Sequence, residues 1–229
     1  MENLPIYITL IFGLTTILTI YLFYMSTKHS KITLLILFIW VSLQGIVGFS
    51  GFYKDTSTVP PKFLLLALPP LAFILGLFLT KTGRKFIDSL SLKNLTMLHV
   101  VRIPVEIVLF WLFINKTIPQ LMTFEGRNFD IIAGITAPII YYFCYVEHRI
   151  KGKMILLWNI ICLALLVNII INAVLSLPFP FQEFGFEQPN IAVLYFPFVW
   201  LPSCVVPLVL LSHLASIRQL LNRRAKNRH

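Results

Sequence analysis

Long apolar runs alternate with short polar ones along the whole chain. Seven of these runs match the length that crosses a hydrocarbon core of ~30 Å at ~1.5 Å per residue. They cover residues 4–25, 32–53, 63–80, 96–115, 129–146, 154–177 and 191–217. The runs lack the two-residue alternation of barrel strands. The pattern predicts an all-α polytopic membrane protein, a single domain of seven transmembrane helices, with a basic tail over 218–229. The first run has no basic leader and exceeds a signal-peptide core in length, so it reads as a retained helix. Segment 86–95, FIDSLSLKNL, reads as a short interfacial helix.

Prolines mark where these helices should bend. Pro69 and Pro70 sit inside the third run, Pro104 inside the fourth, and Pro197, Pro202 and Pro207 inside the seventh. Each removes a backbone donor and frees a carbonyl one turn earlier, which a neighbouring helix must satisfy.

Composition agrees with the pattern. The chain is 58% hydrophobic and 12% charged, where a soluble domain is about 25% charged. The net charge of +10 would suggest nucleic acid in a soluble protein, but the placement of the charges speaks for topology. Of the 19 Lys and Arg residues, 14 fall in loops 26–31, 81–95 and 147–153 and in the tail. Only 4 fall in the alternate loops, and Arg102 lies within a run. The positive-inside rule then places the N-terminus outside and the C-terminus in the cytoplasm. The expected setting is a bacterial plasma membrane, with the lipid bilayer as partner, oligomerisation allowed, and no nucleic acid. Cys144, Cys162 and Cys204 lie in apolar runs without metal-like spacing, so neither a disulfide framework nor a metal site is expected. No cofactor is indicated.

The fourth run carries the chemistry. His99, Arg102 and Glu106 stand at i, i+3, i+7 and project from one helix face. A charged side chain at mid-bilayer costs roughly 2.5–3.5 kcal/mol on insertion scales, so it needs a partner or a polar cavity. Arg102 and Glu106 therefore read as a mutual pair in a ligand-binding site. Gln44 falls at the depth of Glu106, roughly 15–18 Å in, at the helical rise. Asn168 and Asn172 form a polar stripe with Ser176 in the sixth run. Glu125 and Arg127 in TFEGRNFD would form a mouth above this site, with Asn128 and Asp130 capping the fifth helix. Loop 178–190, with four Phe and two Glu, would fold over the same mouth.

Several seven-helix classes are excluded. The seventh run has no lysine for a retinal Schiff base, and the DRY and NPxxY signatures of receptors are missing. Ceramidase-like hydrolases need paired histidines in the last helix, which holds His213 alone. Three functions remain. The first is binding or transport of a small anionic or lipid-like ligand, with Glu106 as proton carrier. The second is an accessory subunit of a membrane complex, whose polar residues join helices. The third is an intramembrane enzyme acting on a lipid or isoprenoid, with Glu106 as acid/base and His99 or His213 as its partner. The orientation is open to direct test. Cysteines introduced at Lys85 and at Glu187 should react with an impermeant maleimide from opposite sides of the membrane. Labelling from one side rules the topology out.

Overall fold

The computed structural model describes residues 4–58, 60–149 and 152–226. The last residues of the tail, 227–229, and Ile150 and Lys151 of the fifth loop fall outside this description. The described residues form helices joined by loops, without strands. Nine helices form it: α1 (Ile6–Ser26), α2 (Lys31–Phe49), α3 (Leu64–Leu79), α4 (Lys81–Ser89), α5 (Leu92–Leu98), α6 (Arg102–Ile114), α7 (Ile131–Tyr145), α8 (Gly152–Leu175) and α9 (Val206–Lys226). Five stretches are long and apolar enough to cross a membrane: α1, α2, Leu92–Ile114, α8 and Leu201–Arg223. The bent pair α3–α4 brings the number to six if it counts as one span. With 15 residues, α7 is apolar but shorter.

In α1, Ile6, Leu10, Leu14, Ile17 and Tyr21 are exposed, while Thr15, Thr16 and Thr19 are buried. Those threonines donate to carbonyls four residues back, so their hydroxyls cost nothing in the packed interior. Ile8, Phe12 and Phe23 of the same helix are buried as well, so in a lipid solvent α1 presents large apolar residues on both faces and places these three threonines on the packed one. Leu92–Ile114 and Leu201–Arg223 form the centre, with half and two-thirds of their apolar windows buried. α2 is the most peripheral, at 17%.

Several expected boundaries shift, each for a local reason. The third run ends at Leu79, where the chain turns by 96° into α4. Thr80 makes the corner: its hydroxyl donates to the Gly76 carbonyl and accepts from the Gly83 amide. α4 is amphipathic, with Gly83 and Ile87 buried and Lys81, Lys85 and Asp88 exposed. The short helix thus lies at Lys81–Ser89, earlier than 86–95. Ser91 then caps a separate helix by accepting from the Asn94 amide. The fourth run is one rod with a 3-10 turn at His99–Val101, just before Pro104. In the seventh run the long helical stretch begins at Leu201, not at residue 191. Residues 192–194 form a single turn, and Leu201–Val205 is a π-turn. Pro207 has no amide for the Ser203 carbonyl, and Trp40 Nε1 fills that place at 2.8 Å. Most of the basic tail is helical, since α9 continues to Lys226. Arg218 pairs with Asp88 and Gln219 donates to the Ile87 and Leu90 carbonyls.

Contacts sort the chain ends into two poles. The Ser91 amide bonds the Ser26 carbonyl, Asn94 bonds Met25, and Lys93 lies over Tyr141, all near α4 and the end of α9. At the other pole Lys54 lies over Tyr195, Gln188 reaches Phe113 and Ile118, and the Ile191 amide bonds Thr117. A methyl group on Gly83 would overlap the Leu77 carbonyl, whereas Gly76 faces open space. Gly83→Ala should therefore destabilise the protein by about 1–3 kcal/mol in detergent thermal unfolding. Gly76→Ala should be neutral or stabilising by up to ~1 kcal/mol. The reverse order would show that the corner does not depend on this close approach.

Candidate functional site

The sequence places His99, Arg102 and Glu106 on one rod, and the fold brings three other segments to that face. His99 is fully buried, and Arg102 and Glu106 are each 2% exposed. α8 contributes Trp158, Asn159 and Cys162, α9 contributes His213, and the 123–130 loop contributes Asn128 and Asp130. Gly134 makes the approach of α7 possible, because a side chain there would press on Ile103 and the Arg102 stem.

Arg102 does not pair with Glu106. Its Nη1 lies 3.0 Å from Asp130 Oδ1, at ion-pair distance, with both groups buried. No N–H of the guanidinium is aligned with that oxygen, so the contact is electrostatic rather than a well-formed hydrogen bond. Arg102 Nη1 also donates to the Cys162 carbonyl at 3.4 Å. Its Nη2 meets His213 Nε2 at 3.0 Å. Guanidinium nitrogens only donate, so His213 Nε2 must accept and its proton sits on Nδ1. That nitrogen lies 2.9 Å from Asn159 Oδ1, and Asn159 Nδ2 donates onward to the Ile155 carbonyl. The chain Arg102, His213, Asn159 therefore has one direction throughout.

Glu106 has a different partner. Asn128 Nδ2 donates to Glu106 Oε1 at 2.6 Å and to the Met122 carbonyl at 3.0 Å. Asn128 Oδ1 accepts from the Asp130 amide. Asn128 is thus no cap for α7: it bolts the loop down onto Glu106. Asp130 occupies the N-cap position but makes no side-chain cap bond, because its carboxylate faces Arg102.

His99 makes no hydrogen bond with either ring nitrogen. Its ring stacks on His213 with centroids 3.9 Å apart, and the Trp158 ring meets it edge-on at 5.4 Å. The two histidines come from different helices, the rod and α9, and pair only in the fold. Arg102 Nε and Glu106 Oε2 are likewise buried without a protein hydrogen bond. Four unpartnered polar atoms thus belong to three residues of one face, where native interiors leave only a few per hundred residues.

The remaining predicted residues are dispersed. Gln44 accepts from the Tyr53 hydroxyl at 2.6 Å within its own region. Asn168 donates to the Arg127 carbonyl, and Asn172 donates to Asn168, so this stripe fastens α8 to the loop. Glu125 and Arg127 are exposed. The Arg127 guanidinium lies 5.2 Å from the Phe184 ring, which brings the Phe-rich loop beside this mouth. Among the described residues no three His, Cys, Asp or Glu side chains converge as metal ligands. Asn128 and Asp130, expected only as caps of the fifth helix, and Asn159, whose only sequence signal is a polar residue inside an apolar run, complete the site.

A guanidinium removed from its carboxylate leaves a buried charge unpaired. Arg102→Met alone should therefore cost about 3–5 kcal/mol, because it strands Asp130. Adding Asp130→Leu should recover most of that loss in thermal unfolding of the detergent-solubilised protein. A double variant no better than the single would show that the pair is not the unit.

No curated protein and no solved structure matches the chain. One family description, Domain of unknown function (DUF8737), matches residues 59–221, from the loop before α3 to the last turns of α9. The match takes in every residue of the polar centre and more than half of the sequence, and the chain belongs to this family.

Proposed function

We propose that this membrane protein crosses the bilayer seven times, N-terminus outside, and binds a small anionic ligand at Arg102 in a closed intramembrane site. The two poles of contacts support the seven crossings, since residues 26–31, 81–95 and the facing ends of α7 and α8, where Cys144 and Ile155 pack with Leu92 and Leu220, alternate in sequence with the segments of the other pole. The observation that carries the ligand reading is the set of unpartnered polar atoms on His99, Arg102 and Glu106. Arg102 Nε is a donor, His99 has a donor and an acceptor to give, and Glu106 Oε2 is an acceptor. A molecule with an anionic group and a hydroxyl or amino group would satisfy all three.

Entry of that anion has a specific route. Asp130 already occupies one edge of the guanidinium without an aligned hydrogen bond. An incoming anion would take this edge and release Asp130, which sits at the start of α7. The loop bolted by Asn128 to Glu106 would move with it and open the outer mouth. Occupancy of the site and position of the loop are thereby one equilibrium. Directional transport would follow if the opposite pole opened in turn.

A second reading rests on the same contact. Arg102 and Asp130 are 2% and 5% exposed, as befits an ion pair that joins helices in an accessory subunit. The two readings differ in their response to ligand. Acetate, glycolate, glycine and inorganic phosphate should be titrated separately against the purified protein while thermal unfolding is followed. Saturable stabilisation by at least one of them is expected, lost in Arg102→Lys and Glu106→Gln. Asp130→Asn should tighten that ligand by about tenfold, equivalent to ~1.4 kcal/mol, because its internal competitor is gone. Unfolding curves that none of the four shifts, in wild type and Asp130→Asn alike, would favour the structural pin.

A further inference from the structure

A cavity of about 540 Å³ lies between α2, α3 and α9, on the far side of α9 from the polar centre. Its walls include Ile36 and Trp40 of α2, Phe73 and Leu77 of α3, and Leu208 and Leu211 of α9. Phe86 of α4 and Ser30, the N-cap of α2, close one end. The lining is almost wholly apolar, and the volume is that of a small-molecule pocket.

The cavity has a polarity along its length. From Ile32 to Trp40 it descends by about 12 Å at the helical rise, a little under half a ~30 Å hydrocarbon core. That is the depth of one leaflet. Its floor lies at Pro69 and Pro70 in α3 and at the π-turn of α9, where Trp40 Nε1 closes on the Ser203 carbonyl. Its rim is basic. Lys28 and Lys31 flank Ser30, while Lys81, Arg84 and Lys85 lie on α4 beside Phe86. The acidic residue of α4, Asp88, is already held by two bonds from Arg218. The rim cations therefore have no carboxylate of α4 left to neutralise them.

An apolar slot one leaflet deep under a cationic rim is the shape of one lipid. We propose that this cleft is a binding site for an anionic phospholipid, with one acyl chain between α2 and α3 and its headgroup against Lys31 and the α4 cations. The amphipathic α4, turned 96° from α3, lies in the headgroup layer and presents its basic residues there. If loops 26–31 and 81–95 face the cytoplasm, as the charge bias indicates, this rim meets the leaflet richest in anionic lipid. The site is independent of any ligand at Arg102.

Trp40 lines the cleft and reports on its contents. The full chain should be reconstituted into phosphatidylcholine vesicles containing increasing dibrominated phosphatidylglycerol, or dibrominated phosphatidylcholine as comparison. Quenching of Trp40 is obtained by difference from Trp40→Phe. Saturating quenching by the anionic lipid at a lower mole fraction than by the neutral one is expected. The preference should fall about fivefold for each rim cation removed in Lys31→Ala and Lys85→Ala. Both positions are exposed, so these variants should fold. Equal quenching by both lipids would mean ordinary contact with bulk bilayer and would overturn the proposal. So would a preference that survives both substitutions, or a tryptophan quenched by neither lipid, as a second protein copy covering the cleft would produce.

Discussion

A guanidinium inside apolar protein is the constraint around which this fold closes. Arg102 is 2% exposed, and burial of a charge costs several kcal/mol unless partners replace water. No single helix supplies them. Asp130 brings the start of α7, the Cys162 carbonyl brings α8, and His213 brings α9. The partners lie as far as 111 residues away along the chain. One side chain thus fixes the relative positions of four segments, and the pattern of their apolar faces only has to agree. The stack of His99 on His213 and the bolt from Asn128 to Glu106 extend this network along the same rod.

Prolines provide a second set of connections, by what they withhold. Pro207 leaves the Ser203 carbonyl without its helical donor, and Trp40 supplies one from α2. Trp200 donates to the Val41 carbonyl in the opposite sense. These two indole bonds, with Gly45 and Gly48 letting Trp200 and Val199 approach closely, hold the most peripheral helix. They join it over residues 40–48, and the earlier turns of α2, from Ile32 to Trp40, line the cleft. Cys204, Pro207, Leu208 and Leu211 repeat at i, i+3, i+4, i+7 and line that cleft from one face of α9. His213 is turned about 200° from Leu211 at 100° per residue. One helix therefore separates the apolar cleft from the packed polar centre.

Hydrophobic run length was enough to locate most of the helices, because in lipid an exposed backbone cannot be tolerated and long apolar runs have one outcome. It placed α8 within two residues of its observed ends. It overran in the seventh run, since residues 191–200 are apolar but packed as turns against Thr117 and Lys54. Hydropathy cannot distinguish burial in protein from burial in lipid. The face carrying His99, Arg102 and Glu106 was legible because helical spacing is local information. Who pairs with whom was not, because it depends on tertiary placement. Arg102 and Glu106 are one turn apart, yet each bonds to the loop at 128–130 instead of to the other. Nor did anything local mark Asn159, whose role exists only because His213 stands next to it.

The extent of the family match separates the two sites in another way. Residues 59–221 contain His99, Arg102, Glu106, Asn128, Asp130, Asn159 and His213, so the polar centre is complete within that segment. The cleft is not, because its α2 wall and its Ser30 end lie before residue 59. α1 differs from α2 here. Its Ile8 and Phe12 are buried in the main core, and the Ser26 carbonyl caps the start of α5. α1 thus supports the rod that carries Arg102, while α2 touches that rod hardly at all and contributes to the cleft. A change in α2 should then alter the apolar chamber without disturbing the charge network, since the two share only α9 and meet it on opposite faces.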